Sequence, residues 1–276
     1  MLTHHFKGFA ARAGAVTLLS VGMIAGFAGA PAMAQTPTTQ WTINYTVLGD
    51  SFSAGSGGGD EAYVPCGQSP NGYGNDVAAA THATLTNLAC SGFTTDQVRT
   101  LEVPYLASDT QLVTLTAGGN DVGWATTVAA CLDPASTTAM CTSAISSSVQ
   151  LMTKLPTKVT ALLKAVKAKA PGARVLYLGY PRLFEPHNMP ALGFTPTQVT
   201  GAKALNAAAD LLNGILAFSA LSNRTAFVPV AYLFSGHGIP SASPWLNYPG
   251  GPNPYAFHPT AEGYQNGYTV AVMRFL

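Results

Sequence analysis

Four short polar clusters carry the side chains in this chain that could work together in nucleophilic catalysis. Gly49-Asp50-Ser51 offers a hydroxyl, Cys90-Ser91-Gly92 a glycine amide, Gly118-Gly119-Asn120-Asp121 a carboxamide, and His258-Pro259 an imidazole. A serine becomes a useful nucleophile when a base takes its proton and neutral donors hold the oxyanion that forms. Taken singly, each cluster is an ordinary turn. His258 is the histidine best suited to be the base, because Pro259 fits the first turn of a following helix and would fix the imidazole at a rigid junction. Of the others, His82 falls in a predicted helix and His187 in a loop after Glu185-Pro186. His237, between two glycines, could shape a substrate cleft.

Other chemistries find less support. The run Gly55-Ser56-Gly57-Gly58-Gly59 lacks the Gly-Lys-Ser/Thr ending of a phosphate-binding loop, and no G-x-G-x-x-G opens a helix. The G-x-S-x-G elbow is absent too, since Ser53 stands where its last glycine would be. The cysteines lack the close spacing of a zinc site, so neither metal nor cofactor is expected. With 13 Lys and Arg against 12 Asp and Glu, there is no basic excess to draw the chain onto nucleic acid.

The elements that must position these residues alternate along the chain. Strands are predicted at Ile43–Leu48, Ala83–Leu88, Gln111–Thr116, Arg174–Gly179 and Ala226–Val230, from β-branched and aromatic runs bounded by turns. Helices are predicted at Asn75–His82, Thr95–Leu101, Pro196–Leu221 and Ala261–Phe275. In a further helix Val149, Met152, Leu155, Val159, Leu162 and Val166 recur at helical spacing. Pro156 should kink that helix or start a second one. The Lys side chains between those apolar positions read as a solvated face. This alternation predicts an α/β protein, a three-layer α/β/α sandwich around a mainly parallel sheet of about five strands. Functional groups of such sheets gather beyond the carboxyl ends of the strands, where three of the four clusters lie.

Residues 1–34 read as a secretory signal peptide, with Lys7 and Arg12, an apolar run, and Ala32-Met33-Ala34 as a cleavage site near Ala34. Residues 35–276 would then be one domain. Export puts Cys66, Cys90, Cys131 and Cys141 in an oxidising compartment, where an even count predicts two disulfides. Of three pairings, Cys66–Cys90 with Cys131–Cys141 closes the shortest loops and is expected.

Taken together, the clusters resemble the GDSL, or SGNH, hydrolase superfamily, in particular the secreted actinobacterial esterases and lipases. Gly49-Asp50-Ser51 is similar to the first motif block, Asn87 to Gly92 to the second, Gly118-Gly119-Asn120-Asp121 to the third, and His258-Pro259 with Gly263-Tyr264 to the fifth. The resemblance implies Ser51 as nucleophile and His258 as base and then acid. It implies an oxyanion hole of the Ser51 and Gly92 N–H groups and the Asn120 amide, with Asp50 and Asp121 bracing loops. One position departs. The family places Asp three residues before the histidine, and this chain has Tyr255. The expectation is a Ser51–His258 dyad whose imidazole is oriented by the Tyr255 carbonyl. The implied activity is hydrolysis of small-molecule or lipid acyl esters by a monomer. The segments 180–184 and 240–254, the latter with Trp245 and Tyr248, are candidates for an apolar acyl groove, and a lipase would make transient contact with a lipid interface. Acyl transfer through the same acyl-enzyme is the alternative enzyme reading. A catalytically inactive surface-binding protein of the same fold is the non-enzymatic one.

Overall fold

The computed structural model describes residues 42–61, 64–250 and 253–276. The segment read as a signal peptide, the Ala34 cleavage site and the leader after it lie outside the described residues. The strands are β1 (Asn44–Gly49), β2 (Thr84–Asn87), β3 (Leu112–Thr116), β4 (Arg174–Leu178) and β5 (Ala226–Val228), and all pair in parallel in the order β2-β1-β3-β4-β5. The order reverses between β1 and β3, which opens a crevice at their carboxyl ends. Gly49 pairs with Thr116 there.

Helices cover both faces of the sheet. On one side α2 (Tyr73–Thr81) packs against the C-terminal helical segment, and on the other α3 (Thr95–Gln97), α6 (Leu155–Lys169) and α7 (Pro196–Ser222) pack together. The central strands are therefore buried on both sides, which is why all five residues of β3 are buried, while the edge strand β2 leaves Thr84 and Thr86 exposed. The long helical stretch is two helices, α5 (Thr138–Met152) and α6, and Pro156 occupies the first turn of α6, where its missing N–H costs nothing. The final helix runs from Ala261 to Met273 with a π-helical middle, Tyr264–Thr269. Its two glycines are contact points. A Cβ on Gly263 would lie 2.3 Å from the Trp245 carbonyl, and one on Gly267 would lie 2.3 Å from the Phe234 ring.

Both expected disulfides are present, Cys66–Cys90 and Cys131–Cys141. The first ties the loop after β2 to the Gly-rich region. The second ties α4 (Trp124–Leu132) to α5, and Gly201 on α7 approaches it so closely that a Cβ would lie 2.9 Å from the Cys131 carbonyl.

Candidate active site

β1 ends in a turn that only its own sequence permits. Gly49 has φ +122°, and a Cβ there would lie 2.1 Å from the Thr116 carbonyl. Asp50 then caps the single-turn helix α1 (Ser51–Ala54) by accepting the Phe52 N–H at 3.1 Å. Its carboxylate also accepts the Thr116 hydroxyl at 2.6 Å and the Tyr180 hydroxyl at 2.5 Å. Burial raises the Asp50 carboxyl above its usual range, and these three donors oppose that shift. Ser53 explains why the G-x-S-x-G pattern is broken, since its hydroxyl accepts the Thr116 N–H at 2.8 Å and bonds the Tyr73 hydroxyl at 3.1 Å. Tyr73 in turn reaches Thr114 at 3.1 Å, and Tyr180 accepts the Gly119 N–H at 3.2 Å. A buried polar network thus locks the Ser51 turn to β3 and to the loop beyond it.

Ser51 stands at the start of α1, 3% exposed, and His258 reaches it from the far end of the chain. The His258 Nε2 lies 2.7 Å from Ser51 Oγ, and its Nδ1 lies 3.1 Å from the Ala256 carbonyl. A carbonyl can only accept, so Nδ1 carries the proton and Nε2 is free to take one from serine. The expected Tyr255 carbonyl is thereby corrected to Ala256. Phe257 adopts the left-handed φ of 66° and reverses the chain before His258. The Tyr255 carbonyl accepts the His258 main-chain N–H at 3.2 Å and acts on the ring more weakly than Ala256 does. Asn247 clamps this loop, its amide donating to the carbonyls of Gly57 (2.9 Å) and His258 (3.1 Å).

The imidazole lies among aromatic rings, with Phe52 at 4.9 Å, Trp124 at 5.5 Å and Tyr255 at 5.9 Å between centroids. Among the described residues no carboxylate pairs with it. Burial dominates and brings its pKa down to about 4, against the smaller upward pull of the Ala256 and Tyr255 carbonyls.

The amide donors come from the next two strand ends. Among the described residues, the N–H groups of Ser51 and Gly92 find no acceptor within the protein. Gly92 has φ +84° with no atom within 4 Å of where a Cβ would be, so conformation alone requires glycine. The Asn120 amide donates to the Phe93 carbonyl at 2.9 Å and accepts from the Trp124 indole at 3.2 Å. That fixes which end of the amide is the donor and leaves its second N–H unused. Asp121 takes no part in the Ser–His pair. It accepts the N–H and hydroxyl of Thr95 at 2.8 and 2.9 Å and the Lys158 ammonium at 2.7 Å, bracing two loops.

A narrow apolar cleft of about 80 Å³ adjoins this group. Phe52, Gly119 and Trp124 are shared walls. α4 and α5 add Val128 and Met152, and α7 adds Leu205, Ala208, Ala209 and Leu212. From the segment 180–184 only Tyr180, Pro181 and Leu183 line it; Arg182 and Phe184 face a second groove. Asn213 and Asn206 hold that segment to α7 by paired bonds to the backbones of Tyr180 and Phe184. Among the described residues, the 240–254 segment contributes none to the cleft. Trp245 stacks on His237 at 3.8 Å and packs edge-on against Phe234, so His237 is structural rather than part of a cleft wall. His187 is exposed, and His82 caps α2. Among the described residues, no cluster of His, Cys, Asp and Glu is disposed to hold a metal ion.

Sequence reasoning missed the bond from Tyr180 to Asp50, although it placed Tyr180 in the groove, and it missed Thr116 and Asn247. The first two had one signal, hydroxyls in positions an all-apolar strand end would fill with aliphatic residues.

A buried serine paired with a histidine, set at the crevice of a parallel sheet beside free amide donors, defines a serine hydrolase of the α/β/α class. Residues 47–265 match the GDSL-like Lipase/Acylhydrolase family. The chain belongs to that family. It is 35% identical over 243 residues to "Lipase" of Streptomyces rimosus, covering 87% of this chain and 89% of the relative. The fold resembles phospholipase A1 from Streptomyces albidoflavus NA297 with TM-score 0.77 and 34% identity, over 85% of this chain and 99% of that one. It resembles the extracellular lipase from Streptomyces rimosus with TM-score 0.77 and 33% identity, over 84% and 99%.

Proposed function

We propose that this protein is a secreted lipase-type esterase that cleaves fatty acyl esters through an acyl-enzyme on Ser51. As the Ser51 oxygen attacks the ester carbonyl, His258 Nε2 takes the hydroxyl proton. The tetrahedral oxyanion is held by the N–H groups of Ser51 and Gly92 and the free Asn120 N–H. His258 then gives its proton to the leaving alkoxide. Water, deprotonated by the same nitrogen, releases the acid. The Ala256 carbonyl keeps the productive tautomer and stabilises the imidazolium, the two tasks a carboxylate performs in a full triad. Asp50 and Asp121 hold the turns.

The observation that carries this reading is the 2.7 Å contact between Ser51 and His258, whose ring packs against Phe52 and Trp124, two walls of an apolar cleft. The cleft's aliphatic lining suits an acyl chain, and relatives named lipase and phospholipase A1 agree with that substrate class. The extracellular relative and the two disulfides support export. The test is intact mass with peptide mapping after a fluorophosphonate probe. One adduct on Ser51, absent in His258→Ala, is expected. A folded protein that takes no adduct overturns the reading.

A further inference from the structure

One buried carboxyl close to the site has no part in the chemistry above. Glu102 ends a π-helical turn, Val98–Glu102, that follows α3, and it is 2% exposed. Its Oε2 accepts the Gly49 N–H at 2.7 Å, and its Oε1 is buried with no partner among the described residues. The Gly49 peptide is the joint between the two loops that carry Ser51 and Gly92. Its N–H goes to Glu102, and its carbonyl accepts the Cys90 N–H at 2.9 Å, two residues before Gly92. β2 ends its pairing at Asn87, opposite Val47, so no strand carbonyl is available to take that N–H. An unpaired buried amide here would loosen the turn that aims Ser51.

We propose that Glu102, held as a neutral carboxylic acid, is the positioning residue that fixes the Gly49-Asp50-Ser51 turn, and that its ionisation switches the site off at alkaline pH. The inference rests on the esterase reading above. The charged group that acts on Glu102 is Asp50 on the Ser51 turn; Arg99 lies one turn earlier on the same segment and Lys158 on α6. Arg99 faces Asp96 at 3.5 Å, and Lys158 is committed to Asp121 at 2.7 Å and Asp96 at 3.4 Å, so neither cation neutralises it. Burial pushes the Glu102 carboxyl up from 4.5 to about 9. The Gly49 N–H opposes this, the Asp50 carboxylate adds to it, and the nearby Cys90 N–H opposes it more weakly. A leucine would avoid the burial of this acid but would leave the Gly49 N–H without an acceptor. An ionised Glu102 would keep that bond but set a negative charge beneath the loops that must stabilise an oxyanion.

The experiment is the second-order rate of Ser51 modification by a fluorophosphonate between pH 6 and 10.5, followed by mass, for the full secreted protein and two variants. The parent is expected to lose reactivity through a single ionisation near pH 9. Glu102→Gln keeps an acceptor for Gly49 and cannot ionise, so it should react within about threefold of the parent at pH 7 and lack that alkaline limb. Glu102→Leu should fall by about tenfold or more at pH 7. As a folding readout, the melting temperature of Glu102→Gln relative to the parent should rise from pH 5 to pH 9, because the parent loses stability as pH climbs from the unfolded to the folded pKa. A parent with no alkaline limb, or a Gln variant with the same limb, overturns the proposal. So does a folded Leu variant of unchanged reactivity. No labelling of the parent at any pH sinks the esterase reading itself, and this inference with it.

Discussion

The ring of His258 is oriented by a carbonyl only two residues behind it, that of Ala256, 3.1 Å from Nδ1. This contact stands where a triad would have a carboxylate, and it costs the protein no buried charge. A side-chain substitution cannot remove a main-chain carbonyl, so the test is made by elimination. Asp60, Glu61, Asp210 and Glu262 do not pair with the imidazole, and changing each to its amide should leave kcat/KM within about threefold. His258→Ala should lose about 10³-fold or more. Tyr255→Ala should be mild, because the carbonyl of that residue, present in any variant, serves the backbone. A single carboxylate variant as damaging as His258→Ala would refute the dyad.

A histidine without a carboxylate should also titrate low. Burial brings the His258 pKa from 6.5 to about 4, so the neutral, proton-accepting form persists well into acid. The acidic limb of kcat/KM should centre near pH 4, with activity kept at pH 5.5. The linkage has a fixed sign. Between the folded and unfolded pKa values the unfolded chain binds the extra proton, so stability falls as pH drops from 6.5 to 4. His258→Gln should lose less stability over that interval than the parent, measured by urea midpoints at both ends. An acidic limb above pH 7 would mean that a charge near the ring has gone unnoticed.

The sheet was legible because its strands are short runs rich in β-branched and aromatic residues, two of them closed by Gly49 and Gly179, and the second helix start at Pro156 followed from proline's missing N–H. By contrast, α4 gave no signal. Its sequence from Trp124 to Leu132 is small and evenly apolar, and it is fixed as a helix by the Gly123 turn and the Cys131–Cys141 bridge. Ser51, Gly92, Asn120 and His258 could be named because motif chemistry resides in side chains and in glycine conformations. Ala256 could not, because a carbonyl belongs to every residue and only the left-handed Phe257 decides which one faces the ring. Glu102 gave no signal, since nothing in R-T-L-E reveals that its turn is π-helical and faces inward.

The oxyanion donors should separate by kind of damage. Asn120→Ala removes a side-chain donor already aimed by Trp124 and Phe93, and should lower kcat by ~10²–10³ with little change in KM. Gly92→Ala adds a methyl that meets no atom within 4 Å, so its cost is the left-handed backbone, ~1–2 kcal/mol. It should therefore reduce kcat and the melting temperature together as the loop shifts. If Asn120→Ala raised KM alone, the amide would be a ground-state contact and the assigned hole would be wrong.

The last prediction concerns how far an acyl chain can run. Ala208 and Ala209 are the small residues on the α7 wall of the cleft, between Leu205 and Leu212. Ala209→Phe should fill the α7 side of the cleft while leaving the side beside Phe52 and Trp124, nearest His258, open. A butyrate ester should then be hydrolysed within about threefold of the parent rate. A dodecanoate ester would lose burial of roughly four methylenes, about 3 kcal/mol, or about a hundredfold in kcat/KM. Leu211→Phe, one turn from Ala208 but on the exposed side of the same helix, is the control and should change neither. If Ala209→Phe slowed both esters equally, the cleft would be a structural void and the acyl chain would lie elsewhere, with the groove beyond Phe184 the next candidate.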